Sequence, residues 1–485
     1  MNSTQTNGTI TGIHLFAESY GGKYGPVFAK FFQQQNQALE AGLLPANSTL
    51  KIQLTSLGII NGLIDDLIQD YYYPIYAYNN TYNIQAISQV DELNSINMYQ
   101  QDCLPAINAC RNAIASTDPD GEGDVAGTNA LCEQAQYTCS ELEYAYQKSG
   151  RDVYDIRAQN PTPYPPADYQ EYLNEALVQS AIGVPVNYTE SNNLVQNAFI
   201  STGDTIRGVS MQDLADLLQM GVRVAMMYGD ADYICNWMGG EAVSLALAKL
   251  LTTPANSSNS TTTSASASVS TSPPAGSYAS GFPAAGYADI VVNSSYVGGA
   301  VRQWGNLSFS RVYDAGHFIP FFQPETAFTI FTRVILGTDI STGEVINASN
   351  FSSTGPANST HTNSAFSTQP SPTCWIRDMG STCSQDQIES IAAGQGIVEA
   401  GVWYSDSKAY TPPSSTVAAG VPGTPVSSSS TTGKGSSSSV PVTGVYTATG
   451  TPTSSKGGAA FAIKTAAPEL LGGSLALGLI MGVMI

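Results

Sequence analysis

The stretch from Thr11 to Gly22, TGIHLFAESYGG, sets the terms for the rest of the chain. Ile13 to Ala17 lean apolar and run straight into Glu18-Ser19-Tyr20-Gly21-Gly22. A helix-like segment follows from Tyr24 to about Gln37, with Val27, Phe28, Phe31 and Phe32 on one side. A strand that turns sharply into a helix around a serine is a nucleophile elbow. Such a turn lifts the Ser19 hydroxyl above the sheet edge and aims the backbone N–H of Tyr20 where an oxyanion would form. The usual first glycine of G-x-S-x-G is Ala17 here, still small enough for a tight turn. Alone, the pattern also describes an ordinary strand-to-helix turn with an exposed serine, so the residues downstream decide.

The chain has three histidines, His14, His317 and His361. His14 lies inside the strand before the elbow, where alternation buries or stacks it, and His361 lies in a Ser/Thr-rich extension. Only His317 stands on a loop just past a strand, Leu307 to Tyr313, and follows a glycine. Catalytic groups of open α/β sheets collect outside the carboxyl ends of strands. Asp232 has the same placement after the buried-strand pattern Gly221 to Tyr228. The order Ser19, Asp232, His317 is that of an α/β-hydrolase triad. Neutral His317 would take the proton of Ser19 and later return it to a leaving amine, while Asp232 orients the ring. Spacing alone leaves Asp230 and Asp314 as rival carboxylates.

This order predicts an α/β fold with two core segments, 1–65 and 189–344. Within them, Leu50 to Ser56 reads as a strand, Leu57 to Asp65 as a loop, and Pro324 to about Leu336 as a helix. Between the core segments, 66–188 reads as an inserted, mainly helical lid. Its tyrosines, Tyr71, Tyr72 and Tyr73, either line a pocket or pack the lid onto the core. The symmetric spacing Cys103-x6-Cys110 … Cys132-x6-Cys139 favours nested bridges, 103–139 and 110–132, among three possible pairings. Residues 252–283 are Ser/Thr/Ala-rich and read as a disordered surface insertion. A small extension, 345–410, holds Cys374 and Cys383 as a further bridge, and Cys235 is left over. A Ser/Thr/Pro stalk covers 411–456. The end, 457–485, has small residues, a spacer and the apolar run Leu470 to Ile485, the pattern of a GPI-attachment signal, with Ser454, Ser455 or Gly457 as the acceptor.

Asp and Glu number 38 against 18 Lys and Arg, a formal charge of −20, which argues against nucleic acid or an anionic membrane surface as partner. Only 12% of residues are charged, against roughly 25% in typical soluble domains. Sequons at Asn2, Asn7, Asn47, Asn79, Asn187, Asn256, Asn259, Asn293, Asn306, Asn347, Asn350 and Asn358 replace that polarity with glycan sites. Together with the cysteines they predict a secreted, surface-attached glycoprotein. Widely spaced histidines and the absence of Cys-x-x-Cys point to no metal and no cofactor. The first ten residues are polar, without the pattern of a signal peptide, which conflicts with that destination.

Several of these stretches, AESYGGKYGPVF, LGIINGLID, Tyr172-Leu173-Asn174 with Val178-Gln179, MMYGDADYICNW and AGH-x-x-P, resemble the serine carboxypeptidases, acid exopeptidases of the α/β-hydrolase fold. The likeness runs from about Thr11 to Val334. It implies that Asp232, before the aromatic-Ile-Cys-Asn run, is the triad acid. It implies that Glu18 helps bind the C-terminal carboxylate of a peptide substrate, and that Cys235 is a free thiol near the site; a plain buried thiol fits Cys235 equally well. Two carboxylates attract only if one is protonated, so the expected activity is release of C-terminal residues from peptides and proteins at acid pH. The family also carries first strands and a Trp-x-Asn-Gly-Gly-Pro-Gly stretch ahead of the elbow, with a second oxyanion donor, and none is found here. The expectation is therefore a sheet lacking its first strands, in a chain that is N-terminally incomplete or inactive as it stands. The alternatives are an esterase or acyltransferase on the same triad, or an inactive cell-surface glycoprotein.

Overall fold

A computed structural model describes residues 12–119, 121–160, 168–251, 275–294 and 296–363, and residues 374–409 apart from 375, 377, 378, 400 and 401. Six strands form one sheet: β1 (Ile13–Glu18), β2 (Leu54–Ile60), β3 (Arg223–Gly229), β4 (Ala288–Asn293), β5 (Tyr296–Trp304) and β6 (Leu307–Val312). Their spatial order is β1-β2-β3-β6-β5-β4. The first four in that order run parallel, and β5 lies antiparallel to both β6 and β4. This is the α/β-hydrolase fold. β3 is buried along its whole length, as a parallel strand covered on both faces must be, and after Arg223 it reads as the apolar run Val224 to Tyr228.

β2 lies further along the chain than the alternation suggested, at Leu54–Ile60 rather than 50–56. The reason is the same two-sided burial. Ser56, Leu57, Gly58 and Ile59 are buried in succession, so both faces of the strand are covered, and the segment LGII reads as a loop only if alternation is required. Gly58 sits in the strand because the ring of Phe16 on β1 occupies the space where its Cβ would stand, 2.2 Å away. The β4–β5 hairpin gave no clear sequence signal, since Gly298 and Gly299 interrupt the pattern of β5.

Between β2 and β3 the chain is helical. Helices Leu104–Thr117 and Ala126–Ser140 lie side by side, joined by disulfides Cys103–Cys139 and Cys110–Cys132. The bridges sit in an apolar cluster with Tyr99, Ile107, Ala135 and Leu142. Ile206 belongs to the same cluster, so the helical insertion continues past Tyr188 through the helix Asn193–Thr202. Tyr73 is buried in the main core against Tyr233, and Tyr71 packs on Tyr99. These two tyrosines serve packing.

The stretch read as a disordered insertion at 252–283 ends earlier than that. Residues 252–274 lie outside the described residues, but Ala275–Ala284 is a helix with Tyr278 and Phe282 buried in the main core. Two aromatic side chains four apart outweigh the low-complexity flavour of their neighbours. Residues 345–363 run along the core: the Gln303 N–H donates to Ser353 Oγ at 2.8 Å, and Arg311 donates to the Ser359 and His361 carbonyls at 2.9 and 2.6 Å. The Cys374–Cys383 bridge is formed. The stalk at 411–456 and the apolar end at 457–485 lie outside the described residues.

Candidate active site

Ser19 follows β1 directly and takes a left-handed backbone conformation, φ 61°. A non-glycine residue there is strained and is held by its surroundings. Its N–H donates to the Ile60 carbonyl at 2.9 Å, and its own carbonyl accepts the N–H groups of Gly22 and Leu63, each at 2.9 Å. The two glycines of the motif are packing requirements. A Cβ on Gly22 would stand 2.3 Å from the Leu63 carbonyl oxygen, and one on Gly21 would stand 2.6 Å from the Ala17 Cβ. Ala17 is thus accepted at the usual glycine position because Gly21 leaves room for its methyl group. Gly22→Ala is expected to push the elbow off Leu63, costing about 1–3 kcal/mol of stability and about 10²-fold in the rate of Ser19 labelling by a fluorophosphonate. Thermal melts and labelling kinetics check both.

Tyr20 opens the elbow helix, Gly21–Glu40, and its backbone N–H donates to no acceptor among the described residues. Its ring is buried between Tyr24 and Phe199, and its hydroxyl donates to Asp204. Burial first, and then the Asp204 charge, push the phenol far above its usual range, so it stays neutral.

β3 delivers Asp232 and β6 delivers His317, both fully buried. His317 Nδ1 lies 2.8 Å from Asp232 Oδ2. The other imidazole nitrogen, Nε2, is buried without a partner, and no hydrogen bond yet joins it to Ser19 Oγ. The loop 151–160 steadies both residues: the His317 N–H donates to the Tyr154 carbonyl at 2.8 Å, and the Ile156 N–H donates to the Ala231 carbonyl at 2.8 Å. Burial alone would lower the imidazole pKa, but the Asp232 charge and hydrogen bond, helped by Glu18, raise it. Burial raises the Asp232 carboxyl against the pull of His317 and Asn61.

The rival carboxylates face elsewhere. Asp230 accepts from the Tyr82 hydroxyl at 2.6 Å and lies 3.5 Å from Arg311. Asp314 lies 3.6 Å from Arg157 and accepts from Asn363 at 2.7 Å. The other two histidines are occupied away from this site, His14 with Ser56 Oγ at 2.8 Å and His361 stacked on Tyr313.

Glu18, the last residue of β1, pairs with Ile60 and is half-buried within reach of the His317 and Asp232 charges. Burial raises its carboxyl; His317 works against that shift and Asp232 adds to it. Cys235 is buried in the main core, and burial, then Asp232, push its thiol well up. Asp232, Cys235 and His317 offer atoms within 4.8 Å of one another, as metal ligands would. The first and last already hold each other, and the thiol is kept protonated, so the set suits a hydrogen-bonded dyad better than a cation. In the second such group, Asp70 with Cys103 and Cys139, both sulfurs are tied up in a disulfide.

Two residues were not anticipated. Asn61 donates to Asp232 Oδ2 at 2.6 Å, and the Tyr154 ring lies tilted against His317 with centroids 5.0 Å apart. An Asn-Gly pair at a strand end was visible in the sequence, but it signals a turn before anything else.

Residues 7–337 match the family described as serine carboxypeptidase. The chain belongs to that family. Carboxypeptidase S1 homolog B of Arthroderma otae is 41% identical over 402 residues, which cover 80% of this chain and 56% of that one. Carboxypeptidase S1 homolog A of Trichophyton rubrum is 37% identical over 417 residues, covering 83% and 60%. Carboxypeptidase S1 of Penicillium janthinellum is 34% identical, with 67% of each chain covered. The chain thus spans 56% of the length of the first of these relatives and 60% of the second.

Proposed function

We propose that this chain carries the catalytic centre of a serine carboxypeptidase, which releases C-terminal residues from peptides and proteins through an acyl-enzyme on Ser19. The observation that carries the reading is the buried Asp232–His317 pair, with Nε2 unpartnered and with its charges reaching Glu18, the residue before the strained Ser19 turn. Asp232 keeps the proton on Nδ1, so Nε2 offers its lone pair to the Ser19 hydroxyl. Ser19 Oγ then attacks the scissile carbonyl, and the Tyr20 N–H donates to the oxygen that gains charge. His317 hands the proton to the leaving amine, and water repeats the sequence on the ester.

Glu18 makes the reading one of an exopeptidase working at acid pH. Its carboxyl titrates above the ordinary range, so in acid it is neutral and can donate to a substrate carboxylate. As pH rises it ionises and repels that carboxylate. On a peptide with a free C-terminus, kcat/KM is expected to fall on the alkaline side, while the amidated peptide shows no such fall. Glu18→Gln should remove the alkaline fall for the free acid. A free-acid profile that is flat from about pH 4 to 8, or unchanged by Glu18→Gln, would overturn the assignment of Glu18. Failure of Ser19 to react with a fluorophosphonate would overturn the enzyme reading itself. The sequons and the disulfides support a secretory route, and the C-terminal pattern supports GPI attachment at the cell surface.

A further inference from the structure

Of the non-glycine residues with positive φ among the described ones, two stand at neighbouring strand ends: Ser19 after β1 and Asn61, φ 41°, after β2. Ser19 holds the proposed nucleophile. Asn61 has no part in that chemistry, yet it is fully buried. Asparagine tolerates this backbone region better than most residues, but tolerance does not explain burial, and a buried amide must be satisfied on all sides.

Its bonds all converge on the site. The backbone N–H continues the sheet pairing to the Met227 carbonyl at 2.7 Å. Side-chain Oδ1 accepts the Gly229 N–H at 3.2 Å, at the end of β3. Side-chain Nδ2 donates to Asp232 Oδ2 at 2.6 Å and reaches the Cys235 carbonyl at 3.4 Å. The amide orientation follows from chemistry, since a carboxylate accepts and a backbone N–H donates. Oδ2 is also the oxygen that holds His317 Nδ1. Two residues on, the Leu63 N–H donates to the Ser19 carbonyl, and between them the Gly62 carbonyl accepts from Tyr228 Oη at 2.8 Å and Gln69 Nε2 at 3.0 Å. The segment 61–63 therefore ties the serine turn to the acid loop.

We propose that Asn61 is a positioning residue that fixes the rotamer of Asp232, and through it the Nδ1–H of His317, in register with Ser19. The inference rests on the proposed triad. Without the amide, Oδ2 keeps one donor fewer, so the Asp232–His317 dyad becomes more basic and less fixed in orientation. The other ionisable groups around Asp232 are Glu18, Asp152, Cys235 and the tyrosines Tyr76, Tyr146, Tyr154 and Tyr228. Burial keeps the thiol and the phenols neutral, which leaves Glu18 and Asp152 as the carboxylates that titrate beside it.

The test compares the full chain with its Asn61→Gly and Asn61→Asp variants. Glycine keeps the backbone angle without strain, and aspartate keeps the shape. Two readouts are taken against pH: the rate of fluorophosphonate labelling, and the titration of His317 by NMR in protein carrying isotope-labelled histidine, where three histidines are to be assigned. Asn61→Gly should slow labelling by roughly 10–100-fold, as expected for a hydrogen bond to a charged group. It should also move the acid limb and the His317 titration upward by about half to one pH unit. Asn61→Asp, which adds a carboxyl beside Asp232, should move both further. A purely structural role would lower the melting temperature and leave both limbs in place. A folded Asn61→Gly protein whose limbs stay within about 0.3 pH unit overturns the proposal, and if that variant does not fold, Asn61→Asp decides by the same criterion. If the unaltered chain does not label at all, the proposed activity fails, while the His317 titration still decides the role of Asn61.

Discussion

Asp232→Asn is expected to lower the labelling rate of Ser19, and kcat/KM on peptides, by on the order of 10⁴, while leaving the fold intact. The carboxylate does two things. It accepts the Nδ1–H of His317 at 2.8 Å, which leaves Nε2 free to take a proton, and it offsets the charge of the imidazolium that then forms. An amide loses the charge, and its NH₂ group favours the tautomer with the proton on Nε2, the wrong nitrogen for a base. Stability should not follow activity down. Asp232 is fully buried and its carboxyl is raised by that burial, so removing the charge relieves a desolvation cost while it weakens hydrogen bonds. The melting temperature is expected to stay within about 3 °C of the parent. Labelling within ten-fold of the parent would show that Asp232 does not orient His317, and would return Asp230 or Asp314 to consideration.

The second large effect is on stability against pH. Glu143 is 8% exposed, and its carboxyl is raised from 4.5 to about 7 by burial first, with Asp66 adding and a hydrogen bond from Gln147 opposing. Asp66 and Asp70 nearby are raised as well, again by burial first. A carboxyl with a raised folded pKa favours the folded chain while it is protonated. That contribution is complete below pH 4.5 and is lost as pH climbs to about 7. For Glu143 alone the loss is about 3 kcal/mol. In a chain of this size the melting temperature should therefore fall by roughly 3–5 °C between pH 5 and pH 8. Glu143→Gln should shrink the fall, because an amide does not ionise. Asp152 and Asp230, each raised to about 6 mainly by burial, account for a remainder. The net charge of −20 also disfavours the fold as pH rises, but salt screens that surface share and not a buried carboxyl. Melts of both proteins at low and moderate salt separate the two. An undiminished fall in Glu143→Gln would remove Glu143 as its source.

The pH prediction and the proposed acid activity have a common physical origin. Carboxyls placed out of water are most comfortable neutral, and this chain buries several of them between the elbow helix and the helical insertion: Asp66, Asp70 and Glu143. Lys23 on the elbow helix lies 3.5 Å from Asp66 and donates to the Ile64 and Thr205 carbonyls at 3.0 and 2.6 Å. Arg111 also acts on Asp66 and pairs with Asp65 at 2.7 Å, but two cations among so many carboxyls cannot keep them all ionised in a dry setting.

What the sequence determined by itself was local in kind. The serine turn follows from a small residue, a serine and two glycines in fixed spacing, because close backbone approach leaves no room for a Cβ at Gly22. The nested bridges followed from symmetric cysteine spacing on two helices that run side by side. β3 and the helix Pro324–Leu336 were legible because their apolar pattern follows their burial, and β6 because Leu307, Phe309 and Arg311 alternate with small serines, although all six of its residues are buried. The tertiary structure decided the rest. Register moved β2 along the chain, since two-sided burial erases the alternation that marks a strand. The hairpin of β4 and β5 and the helix Ala275–Ala284 became visible only through the core they complete. Above all, which carboxylate faces His317 is a matter of side-chain direction across two strand ends, those of β3 and β6. Asp230, Asp232 and Asp314 all stand one to three residues past a strand end, and Arg311 and Arg157 draw away the two that His317 does not hold. Spacing along a chain cannot express that, because the groups that decide it lie on other elements.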